Sequence, residues 1–299
     1  MTREPPPTDA SGFLATGFSR ALRLVGDEAG EAERLEALRI YLMVHAPFEL
    51  LRDCLVWESE RAYYGASLAA GLLLCLGFSF VPGRRSLAMR LFVAFDLGAI
   101  LWLFPAVSNH FFLVFSCLLL LSILDLDHSR EALVGLQACR WLVLIVFFYS
   151  GLQKVLYGTY FRAQLLAWTI AHDVRFATAF GHVMPPEEAL RLQALANTAG
   201  PFGSDWWPLV LISNFTYLFE MIAPLFLLHP RTRSAAVAAT VTFIFLIELG
   251  AREYFFGCLF INLVFLFARR NWYPVLLPLT GLIYAWLLFP RLDRIWGWF

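Results

Sequence analysis

The sequence predicts an all-α fold, a polytopic integral-membrane helical bundle of about nine transmembrane helices with interfacial helices beside them. Three observations predict it. Hydrophobic residues make up 60% of the 299-residue chain and charged residues 15%, a balance that puts lipid rather than water around most of the surface. Apolar runs of roughly the 20 residues that a spanning helix needs recur from residue 36 onward. These runs lack the strict alternation of barrel strands, and a helix satisfies its own backbone in hydrocarbon.

Residues 1–35 read as an N-terminal cytoplasmic or interfacial segment. Its opening, MTREPPPTDASGF, has prolines and acids where a signal peptide would have its apolar core. Over 12–35, Phe13, Leu14, Phe18, Leu22 and Leu24 alternate with charges in the manner of an amphipathic anchor. Residues 36–299 form the transmembrane domain, with spans expected at 36–57, 64–82, 88–107, 110–126, 137–156, 207–228, 234–250, 253–269 and 272–290. The first span is expected to serve as the insertion signal. The break at 157–206, with Pro185, Pro186, Gly200, Pro201 and Gly203, is too polar to cross. Within it, FRAQLLAWTIAHDVRF and PPEEALRLQALANTAG read as two short interfacial helices placed to cap a site.

Basic residues near span ends set the orientation. A cytoplasmic N-terminus puts Arg20, Arg23, Arg34, Arg84, Arg85, Arg90, Arg130, Arg231, Arg233, Arg269 and Arg270 inside. The turn at Ser108, Asn109 and His110 then shares the outer face with Lys154. A bacterial inner membrane is the expected location. With 23 basic and 23 acidic residues there is no basic surface for nucleic acid, nor does a glycine-rich phosphate motif follow a strand. The five cysteines form no CxxC pair and read as small buried apolar residues.

Lys154 is the single lysine, at the end of a span in FFYSGLQKVLYG. A desolvated ammonium there can lose its proton and act as a base, which an arginine cannot do; the plainer alternative is a lysine snorkelling to the interface. His110 opens the next apolar run, suited to shuttling protons or holding a quinone oxygen, or simply a satisfied interfacial histidine. Glu220 and Glu248 are carboxylates inside spans, which need a proton or a partner and so are candidates for cofactor binding. His172, beside Asp173, is a further candidate in the outer loop. Arg39, Arg52 and Asp53 read as structural charge pairing in the first span. Asp125, Asp127 and His128 invite a metal reading, but a solvated capping turn is simpler, so no metal is assigned.

An ordered series of segments completes the reading: RIYL in the first span, Asn109–His110 before an apolar run, LDLDH at 124–128, FFYSGLQK, and NFTYLFEMIAP followed by TRS. In this order they resemble the horizontally transferred transmembrane (HTTM) domain family, the membrane portion shared with vitamin K-dependent gamma-carboxylase, over about residues 36–270. The resemblance implies a quinol-oxidising, epoxidising lyase of carboxylase-like type using reduced vitamin K or a related quinol. It implies a base role for Lys154, acting on the quinol, and an assisting role for His110. Two positions depart from the family pattern: Thr159–Tyr160 stand where a tryptophan is expected, and Ile247 beside Glu248 where a histidine is common. The family's large extramembrane β-rich region is not among these residues, so carboxylation of proteins is not expected of this chain alone. Its partners are then the lipid bilayer and a quinone; the alternative is a non-catalytic factor or subunit serving a secreted peptide or a partner membrane protein.

Overall fold

The computed structural model describes residues 28–54, 59–105, 107–125 and 129–288. Among these residues the chain is helical throughout, with no strand. The helices are α1 (Glu28–Cys54), α2 (Ser59–Phe78), α3 (Arg85–Leu103), α4 (Asn109–Ile123), α5 (Ser129–Tyr157), α6 (Gln164–His172), α7 (Val174–Gly181), α8 (Pro186–Leu195), α9 (Trp207–Leu228), α10 (Arg233–Ala251), α11 (Tyr254–Val264) and α12 (Tyr273–Leu288). Four of them, α3, α5, α9 and α10, are long and apolar enough to cross a membrane; α4, α12, the apolar part of α2 and α11 with its 3-10 extension are apolar but shorter.

Local chemistry explains where elements stop. The third span ends at Leu103, short of the expected 107, because Pro105 cannot continue a helix. The stretch at 161–176 is two helices, not one: the Asp173 side chain accepts from the Arg175 N–H at 2.8 Å, capping α7 and closing α6. The segment 157–206 therefore holds three short helices. At the start of the domain, α1 runs unbroken through residue 36, so no helix boundary falls between segment and domain. Residues 12–27 of the expected amphipathic anchor, and Asp127 and His128, lie outside the described residues.

The bundle has an apolar core with charged groups buried along α1, and its outer surface is apolar as well. α1 packs against α2, α3, α4, α5, α11 and α12 and buries Glu31, Arg34, Arg39, His45 and Glu49. Leu74, Leu101, Ile123, Leu156, Leu249 and Leu282 stand on the outer surface instead, the arrangement suited to lipid as solvent.

At one end of the bundle, arginines close the helix termini. Arg140 on α5 donates to the Leu266 carbonyl at 2.9 and 2.6 Å and meets Glu31 at 3.0 Å. Arg34 donates to the Arg269 carbonyl at 2.5 Å, and Arg233 to the Leu227 carbonyl at 3.1 Å. These carbonyls lie at or beyond helix ends, where a charged fork replaces the missing intrahelical donors. Arg39 and Arg85 both pair with Glu36 here. The opposite end carries the start of α4, the end of α5 and the three loop helices.

Candidate functional site

At that opposite end, α4, α5, α9, α10 and α11 surround a cavity of about 450 Å³. Its walls are mostly apolar, with Phe147, Phe243, Phe256 and Phe260 among them. The polar side chains that reach it include His110, Asn109, Ser150, Gln153 and Glu220. A concave, largely apolar chamber with a few convergent polar groups is the usual form of a small-molecule site.

Lys154 lies in the last turn of α5, which ends at Gly158; the Gly158 N–H returns to the Lys154 carbonyl at 3.2 Å with φ at +69°, a conformation glycine adopts without strain. Across from it runs α9. The two helices approach unusually closely at Gly151, where a Cβ would stand 2.7 Å from both Met221 Cγ and the Tyr217 carbonyl oxygen. This approach brings Glu220 to the lysine. Lys154 Nζ donates to Glu220 at 2.6 Å on Oε1, and also to Oε2, and to Ser150 Oγ at 3.0 Å. The side chains are 19% and 10% exposed, so the pair is mostly withdrawn from water while Glu220 borders the cavity. The Tyr160 ring sits 5.4 Å from Nζ, within cation–π range. Burial, and then the charge of Glu220, push the Tyr160 phenol above its ordinary range, which keeps it protonated.

His110, in the first turn of α4, forms another wall of the cavity. Its Nε2 meets Glu49 Oε1 of α1, and His45 Nε2 meets the other carboxylate oxygen at 3.2 Å. Glu49 and His45 are fully buried. Neither ring N–H is aligned on the carboxylate as a well-formed hydrogen bond, although both nitrogens are turned toward it. Behind them His45 Nδ1 bonds Tyr284 of α12, whose hydroxyl lies 3.0 Å from that of Tyr41. Arg52 reaches Glu49 at 3.9 Å and pairs more closely with Asp53, at 2.6 Å.

His110 lines the chamber and Lys154 adjoins it through Glu220, but among the described residues the two do not pair with each other; each meets its own carboxylate. Glu220 is the lysine's partner. Glu248 is elsewhere: at the end of α10, buried, it rests against Gly257, where a Cβ would come within 2.9 Å of its carboxyl carbon. His172 stacks on Trp168 at 4.7 Å and bonds the Trp168 carbonyl at 2.8 Å, inside the loop helices and away from the cavity. Arg52 and Asp53 form the structural pair expected of them, whereas Arg39 turns to Glu36. Asp125 gives its backbone N–H to Glu131 Oε2 at 2.6 Å, in the first turn of α5.

Sequence reasoning missed Glu49, His45 and Tyr284. The signal was present in HAPFE, whose histidine and glutamate are four apart and therefore share a helix face.

No family model, curated protein or solved structure matches the chain.

Proposed function

We propose that this chain is a quinol-binding membrane enzyme of the carboxylase-core type, with the cavity between α4, α5, α9, α10 and α11 as its site. The observation that supports it is an aromatic chamber bordered by a carboxylate-backed His110 and by Glu220, which holds the half-buried Lys154 behind it. The chamber fits a quinone ring: phenylalanines offer flat apolar walls, while His110, Asn109 and Gln153 offer polar partners for ring oxygens. A reduced quinone, when bound, supplies a phenolic hydroxyl and reducing electrons.

Lys154 and Glu220 act together as the base. Glu220 accepts a proton on a carboxylate oxygen while Lys154 keeps its ammonium. Alternatively, Lys154 first passes its own proton to Glu220 and takes the new one on Nζ; either route ends in ammonium and carboxylic acid. Tyr160 sits near the ammonium at the position where the resembling family has a tryptophan, and holds the lysine head over its ring. His110 assists by holding a ring oxygen. The three loop helices cover this end, and the lipid-facing walls give an apolar ligand a route in.

The test is quinol epoxidation by the purified chain in nanodiscs with reduced vitamin K and oxygen. Wild type is expected to form epoxide. Lys154→Ala and Glu220→Ala should each lose it by roughly a hundredfold or more, and Ile247→Trp, which fills the chamber, should raise KM. Wild-type protein that binds no quinone would move the assignment to the maturation or subunit reading.

A further inference from the structure

The Lys154–Glu220 base does not use the buried line that backs His110. Glu49 has no exposure, both of its oxygens lack an aligned donor, and two imidazoles are turned onto it. An imidazole nitrogen brought this close to a carboxylate must carry hydrogen, since a bare lone pair would face another lone pair. The proton of neutral His110 is therefore on Nε2. Nδ1 makes no hydrogen bond among the described residues, and the ring, with its side chain 12% exposed, borders the cavity. The same argument puts a proton on His45 Nε2 and leaves His45 Nδ1 to accept from the Tyr284 hydroxyl. Glu49 is thus supported on its far side by a second histidine, itself held by a tyrosine.

We infer that Glu49 is the positioning residue of the site: it holds His110 in the Nε2–H tautomer and so presents Nδ1 as a proton acceptor to a hydroxyl in the cavity. The inference rests on the quinol reading for the identity of that hydroxyl. When Nδ1 takes the proton, the ligand's O–H bond breaks and its electron pair stays on oxygen. An N–H bond forms on Nδ1, and the new imidazolium stands beside the Glu49 carboxylate, whose charge it balances. No electron leaves the ligand in this step. His45 prevents the carboxylate from turning away; Arg52 stands at 3.9 Å, and the Asp53 and buried Asp96 carboxyls also lie within electrostatic reach of it. The chain then has two acceptors at one chamber, Glu220 with its lysine and His110 with its glutamate, matching a ligand that has two hydroxyls to lose.

The experiment is nitrogen-15 NMR of histidine-labelled protein in lipid nanodiscs at neutral pH, with the His110 signals identified by their loss in His110→Gln. Wild type is expected to show protonated Nε2 and unprotonated Nδ1. Glu49→Leu should lose that preference and Glu49→Asp should keep it. In the epoxidation assay Glu49→Leu should lower kcat by roughly tenfold or more with KM little changed. An Nδ1–H tautomer in wild type overturns the inference even if no Glu49 variant folds, as does an unchanged tautomer in Glu49→Leu. If the wild type turns over no quinol, the quinol reading falls by itself, and the tautomer still decides the role of Glu49.

Discussion

At the scale of single residues, Lys154 and Glu220 define what is most exposed to test. Each is costly in an apolar setting without the other, so Lys154→Met and Glu220→Leu are each expected to lower thermal stability in nanodiscs, while the double variant recovers part of the loss. The coupling from the double-mutant cycle should be about 1–3 kcal/mol; additive losses would mean the pair is not energetically joined. The sequence made Lys154 legible because it is the single lysine and sits at a span end, and Glu220 because a carboxylate inside an apolar run demands a partner. Their pairing was not legible. It depends on the approach of α5 and α9, sixty-six residues apart in sequence. His110 was likewise visible, but its carboxylate was hidden: Glu49 sat in a segment whose arginines and Asp53 seemed to account for the local charge.

At the scale of elements, contact between helices depends on missing side chains. Gly151→Val should force α9 away from α5, destabilising the fold by about 1–3 kcal/mol and weakening any activity that needs Glu220 at the lysine. Thermal unfolding and turnover measured on the same preparation would check both effects; unchanged values would mean the helices slide without cost. The loop helices make a different claim. Arg191 donates to Glu188 at 2.7 Å and to the Gly203 carbonyl at 2.6 Å, and Ser204 donates to Glu188 as well. Hydrogen bonds from Arg191 first, and also from Ser204, hold the Glu188 carboxyl below its ordinary range. A carboxyl with a lowered folded pKa stabilises above its unfolded value, near 4.3, and loses that contribution as pH falls through the folded one. Hydrogen-exchange protection in 186–204, corrected for the intrinsic exchange rate, is therefore expected to be high at neutral pH and to fall on acidification below about 4, with Arg191→Ala weakening the pH dependence and Ser204 supplying the remainder. The division of this segment into three helices was only partly legible, because the Asp173 cap competes with an otherwise continuous apolar period.

For the whole molecule, the helical bundle was legible from composition and run length, and the structure agrees with that coarse reading. The number of complete crossings was less so, since α4, α11 and α12 are shorter than a standard span and α1 is rich in charge. Arginine clustering predicts which end faces the cytoplasm. The native cysteines among the described residues are buried, so Gln193→Cys and Arg231→Cys offer clean reporters at the two ends. A membrane-impermeant maleimide on intact cells is expected to label the first and to reach the second only after permeabilisation; the reverse result would invert the protein. The charges of α1 also bear on how the chain is made. This helix precedes in the chain some of the groups that settle it: one Arg34 acceptor lies 235 residues downstream and one His45 partner 239. Pairs within α1 balance much of its charge, but until translation reaches α12 the helix lacks these distant partners, so truncation before Tyr284 should leave α1 open to quality-control proteolysis.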